Sequence, residues 1–263
     1  MKIGAQLYTV HEYTKNLDDF SQTLRKVSEI GYKYVQVSGT CEFEADWLKE
    51  QLEKYGLECV VTHTPQKKIT ENIEKVMADH KVFGCKYIGI SGIEGLWDTA
   101  KTLEECYEVF KNDYAPQFET LKQNGFYFMY HNHNQELCRL KGDDKFLLRR
   151  IAEDYPADQV GFILDTHWLQ RGGIDPAKFI RELKGRVPCV HFKDYITVRT
   201  EECTNDTRFA VIGEGVLDFK EIIEACEYAG TEYVLVEQDN CYGEDPFECL
   251  RRSYNNLKEM GLE

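Results

Sequence analysis

The residues with the clearest potential for chemistry are the imidazole, amide and carboxylate side chains of residues 131–136, His-Asn-His-Asn-Gln-Glu. They follow the apolar segment 126–130, which has no helical period and predicts a β-strand. Side chains two residues apart on a strand point to the same face, so His131 and His133 would share one direction. An apolar strand with such a polar end is typical of a strand that carries a site at its C-terminal end.

Other apolar segments of the chain also end in side chains that bind metals or transfer protons. Asp165 closes Gly-Phe-Ile-Leu-Asp, and Glu237 closes Tyr-Val-Leu-Val-Glu. Five of the seven histidines lie at such ends, namely His63, His131, His133, His167 and His191. A single histidine in this position is usually structural, but the joint placement with two carboxylates indicates a mixed nitrogen and oxygen site.

Carboxylates at the ends of neighbouring buried strands repel one another and take up protons unless a cation compensates their charge. Imidazole and carboxylate ligands suit Mn, Zn, Fe, Co or Ni, and Mg less well. We therefore expect one bound divalent metal ion, whose identity stays open among these six. The alternative is a hydrogen-bonded polar rim without a metal.

Eight strand-like segments alternate with eight helix-like segments along the chain. The predicted strands are Ile3–Tyr8, Tyr34–Val37, Glu58–His63, Tyr87–Ser91, Phe126–His133, Gly161–Asp165, Val187–Lys193 and Tyr233–Glu237. The predicted helices are Leu17–Ile30, Glu44–Tyr55, Glu71–Phe83, Leu103–Asn124, Asp144–Asp154, Pro176–Leu183, Asp218–Ala229 and Pro246–Met260. The dipeptides Asp175-Pro176 and Asp245-Pro246 each place a capping residue before a first-turn proline.

Strict alternation of strands and helices predicts a parallel sheet. Eight units in 263 residues match a closed α/β barrel of the (β/α)8, or TIM, type. A doubly wound open sheet is less favoured, because it typically has a glycine-rich turn after the first strand and residues 7–11 contain no glycine. No linker or composition break divides the chain, so we predict one barrel domain over residues 1–263.

The charge of the chain restricts its partners. The 32 Lys and Arg residues against 46 Asp and Glu residues give a net charge of −14, which argues against nucleic acid and anionic membrane partners. The N-terminal segment is too short and polar for a signal peptide, and no apolar run approaches the ~18 residues of a membrane span. The ten cysteines form no C-x-x-C pair. We therefore expect a cytoplasmic protein with reduced thiols.

Several short motifs follow one another along almost the whole chain. They are Gly4-Ala-Gln-Leu-Tyr, Ile30-Gly-Tyr-Lys-Tyr-Val, Tyr130-His-Asn-His with Glu136, Leu164-Asp-Thr with Trp168, Gly173-Ile-Asp-Pro, His191-Phe-Lys-Asp, Gly213-Glu-Gly-Val-Leu-Asp-Phe and Val236-Glu-Gln-Asp. Singly each motif is weak. In this order they resemble the xylose-isomerase-like sugar isomerase/epimerase superfamily.

The resemblance implies one divalent ion held by residues from the fifth to the eighth strand. Asp165, His191 and Glu237 match the ligand positions of the sixth, seventh and eighth strands. The fifth-strand position is usually Glu in isomerases and epimerases of the family, and here it is His131. His131 would complete a site of two histidines and two carboxylates, or the ion would be held weakly. Epimerases also often place a substrate-binding His where this chain has Trp168.

These departures affect the mechanism that the resemblance implies. In the epimerase pattern, two ligand carboxylates serve as acid and base on opposite faces of the substrate while the metal stabilises an enediolate. With His131 in place of a carboxylate, Glu237 remains a candidate base. His131, His133, Glu136 or Lys193 would then have to serve the other face.

Further residues near the predicted strand ends are candidates for substrate binding. They are Gln6, His63, His133, Trp168, Lys193 and Glu214. Glu214 lies in the segment 195–216, which we predict as a long loop of the kind that forms lids or subunit contacts. The loop 238–245 after the eighth strand is acidic, which disfavours a phosphate site. We therefore expect an unphosphorylated sugar, keto-sugar or polyol as the small-molecule partner.

Three functions stay open. The first is a metal-dependent sugar isomerase or epimerase. The second is a metal-dependent lyase or dehydratase of a keto-sugar, keto-glycoside or inosose-like substrate, which needs the same proton abstraction. The third is a non-catalytic sugar-binding or partner subunit, which the missing fifth-strand glutamate suggests. A homo-oligomer is also possible, because long barrel loops commonly form subunit contacts. An abasic-site endonuclease is disfavoured, because it needs a basic face for DNA and this chain is acidic.

Overall fold

A closed barrel of parallel β-strands forms the centre of the protein in the computed structural model, which describes residues 1–263. Its eight strands are β1 (Lys2–Gln6), β2 (Tyr34–Val37), β3 (Glu58–His63), β4 (Tyr87–Ile90), β5 (Tyr127–His131), β6 (Val160–Asp165), β7 (Cys189–Phe192) and, after a hairpin of β8 (Asp194–Val198) and β9 (Asp206–Ala210), β10 (Tyr233–Val236). The order around the barrel is β1-β10-β7-β6-β5-β4-β3-β2. The predicted (β/α)8 barrel is thereby confirmed.

Helices on the outside return the chain from each strand to the next. They are α1 (Leu17–Ile30), α2 (Ala45–Tyr55), α3 (Gln66–Glu71), α4 (Ile73–Val82), α5 (Leu103–Val109), α6 (Ala115–Gln123), α7 (Leu147–Asp154), α8 (Thr166–Arg171), α9 (Pro176–Glu182), α10 (Phe219–Ala229) and α11 (Pro246–Glu259). The predicted caps are present, since the Asp175 and Asp245 side chains accept hydrogen bonds from the backbone N–H groups of Lys178 and Phe247. None of these helices combines the length and apolar character that crossing a bilayer requires.

Two predicted elements differ in the structure. The helix expected over residues 71–83 is divided at Asn72, which has an extended φ of −151° and caps α4 with its side chain. The segment 195–216, expected to be a loop, instead contains most of the antiparallel hairpin β8–β9. That expectation was wrong because the Asp194 side chain organises the segment locally: its carboxylate accepts hydrogen bonds from the backbone N–H groups of Gly213, Gly215 and Leu217.

The interior of the barrel is a packed core, and not a pore. Val61, Met129, Ile163 and Leu235 are buried and fill the space between the strands. Gly161 makes this packing possible, because a Cβ atom there would lie 2.4 Å from the ring of Tyr127. The barrel is therefore closed below the strand ends, and polar side chains gather only at the C-terminal mouth.

Candidate active site

Four side chains that can bind a metal meet at the C-terminal mouth of the barrel. His131 ends β5, Asp165 ends β6, His191 lies in β7, and Glu237 directly follows β10. Their candidate ligand atoms lie within 4.8 Å of one another, and all four residues are buried. The structure therefore gathers the same four residues that the sequence predicts as ligands.

The two histidines are oriented by hydrogen bonds on the side away from the shared centre. His131 Nδ1 lies 3.2 Å from the carbonyl oxygen of Ile163, and His191 Nε2 lies 2.6 Å from Gln36 Oε1. Both partners are acceptors, so these nitrogens carry the protons and the other nitrogen of each ring keeps its lone pair. Such outer contacts fix the tautomer and the ring orientation of metal-binding histidines.

Three buried atoms of the set lack an aligned hydrogen bond, namely Asp165 Oδ2, His191 Nδ1 and Glu237 Oε2, and the last two lie 2.9 Å apart. An unsatisfied buried lone pair is costly, and a native structure rarely leaves several together. Two imidazoles and two carboxylates also form a donor set that suits a divalent transition metal. The residues of this chain thus fit a bound divalent ion on both geometric and chemical grounds.

The ammonium of Lys193 lies inside this cluster. The side chain is 1% exposed, and its Nζ is 3.0 Å from Asp165 Oδ2, 2.8 Å from Glu237 Oε2 and 3.0 Å from Asp239 Oδ1. The contacts to Asp165 and Glu237 are close, but they do not satisfy those oxygens as aligned hydrogen bonds. The carboxylates around this ammonium outnumber it, which leaves negative charge that a bound cation would offset.

These contacts move the pKa values of the acidic groups apart. Burial raises the pKa of Asp165 to about 6, against the opposing effect of Lys193. Burial also raises the pKa of Asp239. Burial acts in the same direction on Glu237, but Lys193 and His191 outweigh it and lower the pKa of that carboxyl below its usual range. Burial opposes the charge of Lys193, yet the three carboxylates raise the pKa of its ammonium.

His63 and His133 flank the four-residue set. The Nε2 of His63 is buried without a partner, and its Nδ1 lies 3.0 Å from Ser38 Oγ. Ring nitrogens of His63, His131 and His191 also come within 4.8 Å of one another. Burial lowers the pKa of His63, and lowers that of His133 to about 3. Both imidazoles are therefore neutral near pH 7.

Two predicted site residues, Glu136 and Gln6, are buried beside the mouth and form hydrogen bonds within the protein. The Glu136 carboxylate accepts hydrogen bonds from the Tyr130 hydroxyl at 2.9 Å and from the His133 backbone N–H at 3.0 Å, and burial raises its pKa to about 7. The Gln6 side chain is buried and accepts a hydrogen bond from the Tyr8 backbone N–H at 3.1 Å. Neither belongs to the four-residue set or lines the cavity at the mouth.

Trp168 and Glu214 also lie away from that cavity. The Trp168 ring packs 5.5 Å from the His133 ring and contacts Phe209 of the hairpin, at 5.9 Å between centroids. Glu214 forms an ion pair with Arg252 of α11 through a 2.9 Å contact between Oε1 and Nε. Trp168 therefore supports a wall of the site, whereas Glu214 joins the hairpin base to α11.

A cavity of about 630 Å³ opens at the mouth. Of the residues singled out in the sequence as catalytic, ligand or substrate-binding candidates, those that line it are His63, His131, His133, Lys193 and Glu237. Asp239 and Trp97 line it too, but were not among those candidates. Asp239 could have been recognised from its spacing, two residues after Glu237. Trp97 lies in the loop after β4, where no sequence pattern points to a site.

A family model described as xylose isomerase-like TIM barrel matches residues 24–260. The chain belongs to this family. An inosose dehydratase of Lacticaseibacillus casei is 24% identical over 265 residues, which cover 90% of this chain and 85% of the relative.

Solved structures show the same xylose isomerase-like barrel. A sugar phosphate isomerase/epimerase from Parabacteroides distasonis ATCC 8503 superposes with a TM-score of 0.80 at 21% identity, covering 99% of this chain and 94% of that chain. An IolI protein with a bound zinc atom has a TM-score of 0.69 at 16% identity, over 98% of this chain and 97% of that one. The dehydratase is named for a reaction of the lyase type, and the isomerase/epimerase for reactions of the isomerase type.

Proposed function

We propose that this protein is a metal-dependent lyase that removes water from an unphosphorylated keto-sugar or inosose-like substrate. The reaction would begin with loss of a proton next to the carbonyl and end with departure of a β-hydroxyl group. The observation that carries the proposal is the pair of carboxylates after β10, Glu237 and Asp239, which both line the cavity and both contact the Lys193 ammonium. An elimination needs one group that takes the α-proton and a second group that gives a proton to the leaving hydroxyl.

The roles follow from the positions of the side chains. Glu237 lines the cavity in its charged form and takes the proton from the α-carbon. The β carbon–oxygen bond then breaks, and the hydroxyl takes the proton of Asp239 and leaves as water. Lys193 contacts both carboxylates and holds them at the same side of the cavity. A divalent ion, when bound, supplies polarisation of the carbonyl and stabilises the enolate charge.

The relatives support both the ion and the reaction type. An IolI protein of the same fold binds zinc, and the curated relative over 90% of the chain is an inosose dehydratase. The four ligand-type residues that meet at the mouth favour one divalent ion here. Its identity among Mn, Zn, Co, Fe, Ni and Mg is left to metal analysis, although two imidazoles favour the transition metals over Mg.

A sugar isomerase or epimerase is the second candidate. His131 and Glu237 approach the same point from β5 and from the end of β10, with β6 and β7 between them in the barrel. Two groups on well-separated strands could exchange protons with opposite faces of a substrate. The lyase is preferred because the curated relative that covers 90% of the chain is an inosose dehydratase.

Metal analysis of the purified protein, followed by a substrate panel in D2O, tests the proposal. The panel contains inososes, keto-hexoses and 3-keto-glucosides, and NMR and near-ultraviolet absorbance are recorded together. We expect stoichiometric metal and a new enone absorbance with one panel member. Deuterium at one α-carbon without an enone would instead identify an isomerase or epimerase.

The third function, a non-catalytic sugar-binding or partner subunit, has its own signature in these measurements. It predicts no stoichiometric metal, no deuterium uptake with any panel member, and a melting temperature that metal addition leaves unchanged. That combination would refute both enzymatic candidates.

A further inference from the structure

The cavity at the mouth is larger than one sugar ring requires. A hexose has about 12 non-hydrogen atoms, which would fill roughly 360 Å³ even at the ~30 Å³ that each water molecule occupies in the liquid. The cavity measures about 630 Å³. A single ring held at the carboxylates of Glu237 and Asp239 would therefore leave a large part of the space empty.

The unfilled part has a wall of its own, formed by the loop between β4 and α5. Trp97 of this loop lines the cavity with 51% of its surface exposed. Its ring lies edge-to-face against His133, with 5.1 Å between centroids, and the His133 ring lies 4.7 Å from the His131 ring. The His133 imidazole thus lies between the indole and the candidate metal ligands. This separation is about the distance between the centres of two linked sugar rings.

Trp97 is fixed in place despite its exposure. Its ring packs on the backbone of Gly92, where a Cβ atom would lie 2.6 Å from the indole Cη2. Ile93 and Leu96 anchor the loop in the core, and the Leu96 backbone N–H donates a hydrogen bond to the Ile93 carbonyl. Single exposed apolar residues are common on protein surfaces. A fixed indole on the wall of a polar cavity is a different case, because it offers a flat apolar face to a ligand.

Polar side chains next to the indole are free to bind hydroxyl groups. Ser91 and Glu94 belong to the same loop as Trp97 and line the same cavity, and neither side chain forms a hydrogen bond or ion pair within the chain. Gln66 differs, because its Oε1 already accepts a hydrogen bond from the Tyr114 hydroxyl at 2.7 Å. A sugar ring that stacks on Trp97 would thus find a carboxylate and a hydroxyl beside it.

We propose that the substrate carries a second ring, as in a keto-glycoside or keto-disaccharide, and that this ring stacks on Trp97 while the keto ring lies at Glu237 and Asp239. The inference rests on the proposed function for the keto ring alone. The second position follows independently from the cavity volume, the fixed indole and the free Ser91 and Glu94 side chains.

Isothermal titration of the whole metal-loaded protein with non-reacting sugars tests this second position. Glucose is compared with cellobiose, maltose and phenyl β-glucoside on the wild type, Trp97→Ala and Trp97→Phe. We expect at least one two-ring probe to bind roughly five- to tenfold more tightly than glucose. Trp97→Ala should abolish this preference and leave glucose binding within twofold, and Trp97→Phe should restore most of it.

The matched control is Tyr228→Ala, since Tyr228 is 56% exposed on α10 and does not line the cavity. It should change no affinity. Equal affinity of one-ring and two-ring probes, or equal losses for both in Trp97→Ala, would overturn the second position. The titration measures binding without turnover. The second ring position can therefore be confirmed or refuted even if no elimination is observed in D2O.

Discussion

Lys193 determines the charge balance of the site at the scale of single residues. Its ammonium is buried among three carboxylates and lies next to two of the candidate ligands. A buried charge that loses its partner is far more costly than an exposed one, because no solvent replaces the lost contact. Lys193 should therefore contribute strongly to stability while the metal is absent.

We expect Lys193→Met to lower the free energy of unfolding by about 3–5 kcal/mol in EDTA, because it leaves buried carboxylates without a cation. A saturating divalent metal should recover part of this loss. Lys122→Met is the matched control: Lys122 forms an exposed ion pair with Asp158, which solvent screens, so its loss should change stability little. Urea unfolding gives both values, and equal losses in the two variants would contradict the assigned role of Lys193.

Glu136 should make stability depend on pH. Burial raises its pKa from 4.5 to about 7, so the folded state holds a proton that the unfolded state releases between these values. This contribution to stability is present below pH 4.5 and is lost as pH rises to 7. Glu136→Gln does not titrate, so its stability relative to the wild type should rise by roughly 2–3 kcal/mol between pH 5 and pH 8. A stability difference that is constant across this range, measured by urea unfolding, would argue against a buried protonated Glu136.

The acid and base assignments predict separable kinetic defects. Asp239→Asn should lower kcat by about 10²–10⁴ while the bound metal is retained, because Asp239 is outside the four-residue set. Glu237→Gln should lower both turnover and metal content. Glu214→Gln serves as the control and should keep kcat within twofold, since its carboxylate is paired with Arg252. Normal turnover in Asp239→Asn would remove it as the acid.

At the scale of elements, the β8–β9 hairpin is the part of the fold that a single side chain organises. The Asp194 carboxylate accepts hydrogen bonds from the backbone N–H groups of Tyr195, Gly213, Gly215 and Leu217. These bonds close the base of the hairpin. Phe209, which lies in β9, contacts Trp168 beside the site. The hairpin therefore supports Trp168, which packs against the His133 ring at the mouth.

Asp194→Asn should lower the free energy of unfolding by roughly 2–4 kcal/mol, because an amide cannot replace all the acceptor positions of a buried carboxylate. Hydrogen–deuterium exchange should speed up at Gly213, Gly215 and Leu217 before the barrel strands are affected. Asp206→Asn is the control, since its side chain accepts only from the neighbouring Thr207 backbone N–H near the hairpin tip. Unchanged exchange at the hairpin base in Asp194→Asn would show that other contacts hold it.

Some elements could be predicted from the sequence, and others could not. The barrel strands were recognisable because each is a short apolar run that ends in a polar group, and Asp165, His191 and Glu237 were found with them. The hairpin was not, since exposed strands paired only with each other lack an apolar face. Trp97 and Gln36 were missed for another reason: their importance depends on which distant residue each one contacts.

At the scale of the whole molecule, the barrel closes where β1 pairs with β10, and the two ends of the chain reinforce that seam. The Ile3 backbone N–H donates to the Glu263 carbonyl at 2.8 Å, and the Glu263 N–H donates to the Met1 carbonyl at 3.1 Å. Leu262 is 4% exposed and packs into the main core. We propose that residues 1–263 form one cooperative domain.

A single unfolding transition, with coincident circular dichroism and tryptophan fluorescence curves, is expected for one domain. Leu262→Ala should lower its free energy of unfolding by about 2–4 kcal/mol, because it opens a cavity at the seam. Met260→Ala is a nearby control and should cost less than about 1 kcal/mol, since Met260 is 40% exposed. Two separated transitions would contradict the single domain.

The positions of Glu237 and Asp239 have a stereochemical consequence. Both carboxylates follow the same strand and contact the same ammonium, so they reach a bound ring from one side. The hydrogen and the hydroxyl group should consequently depart in a syn relationship. Of two substrates that are epimers at the β-carbon, only the one whose β-hydroxyl lies on the same face as the α-hydrogen should then lose water.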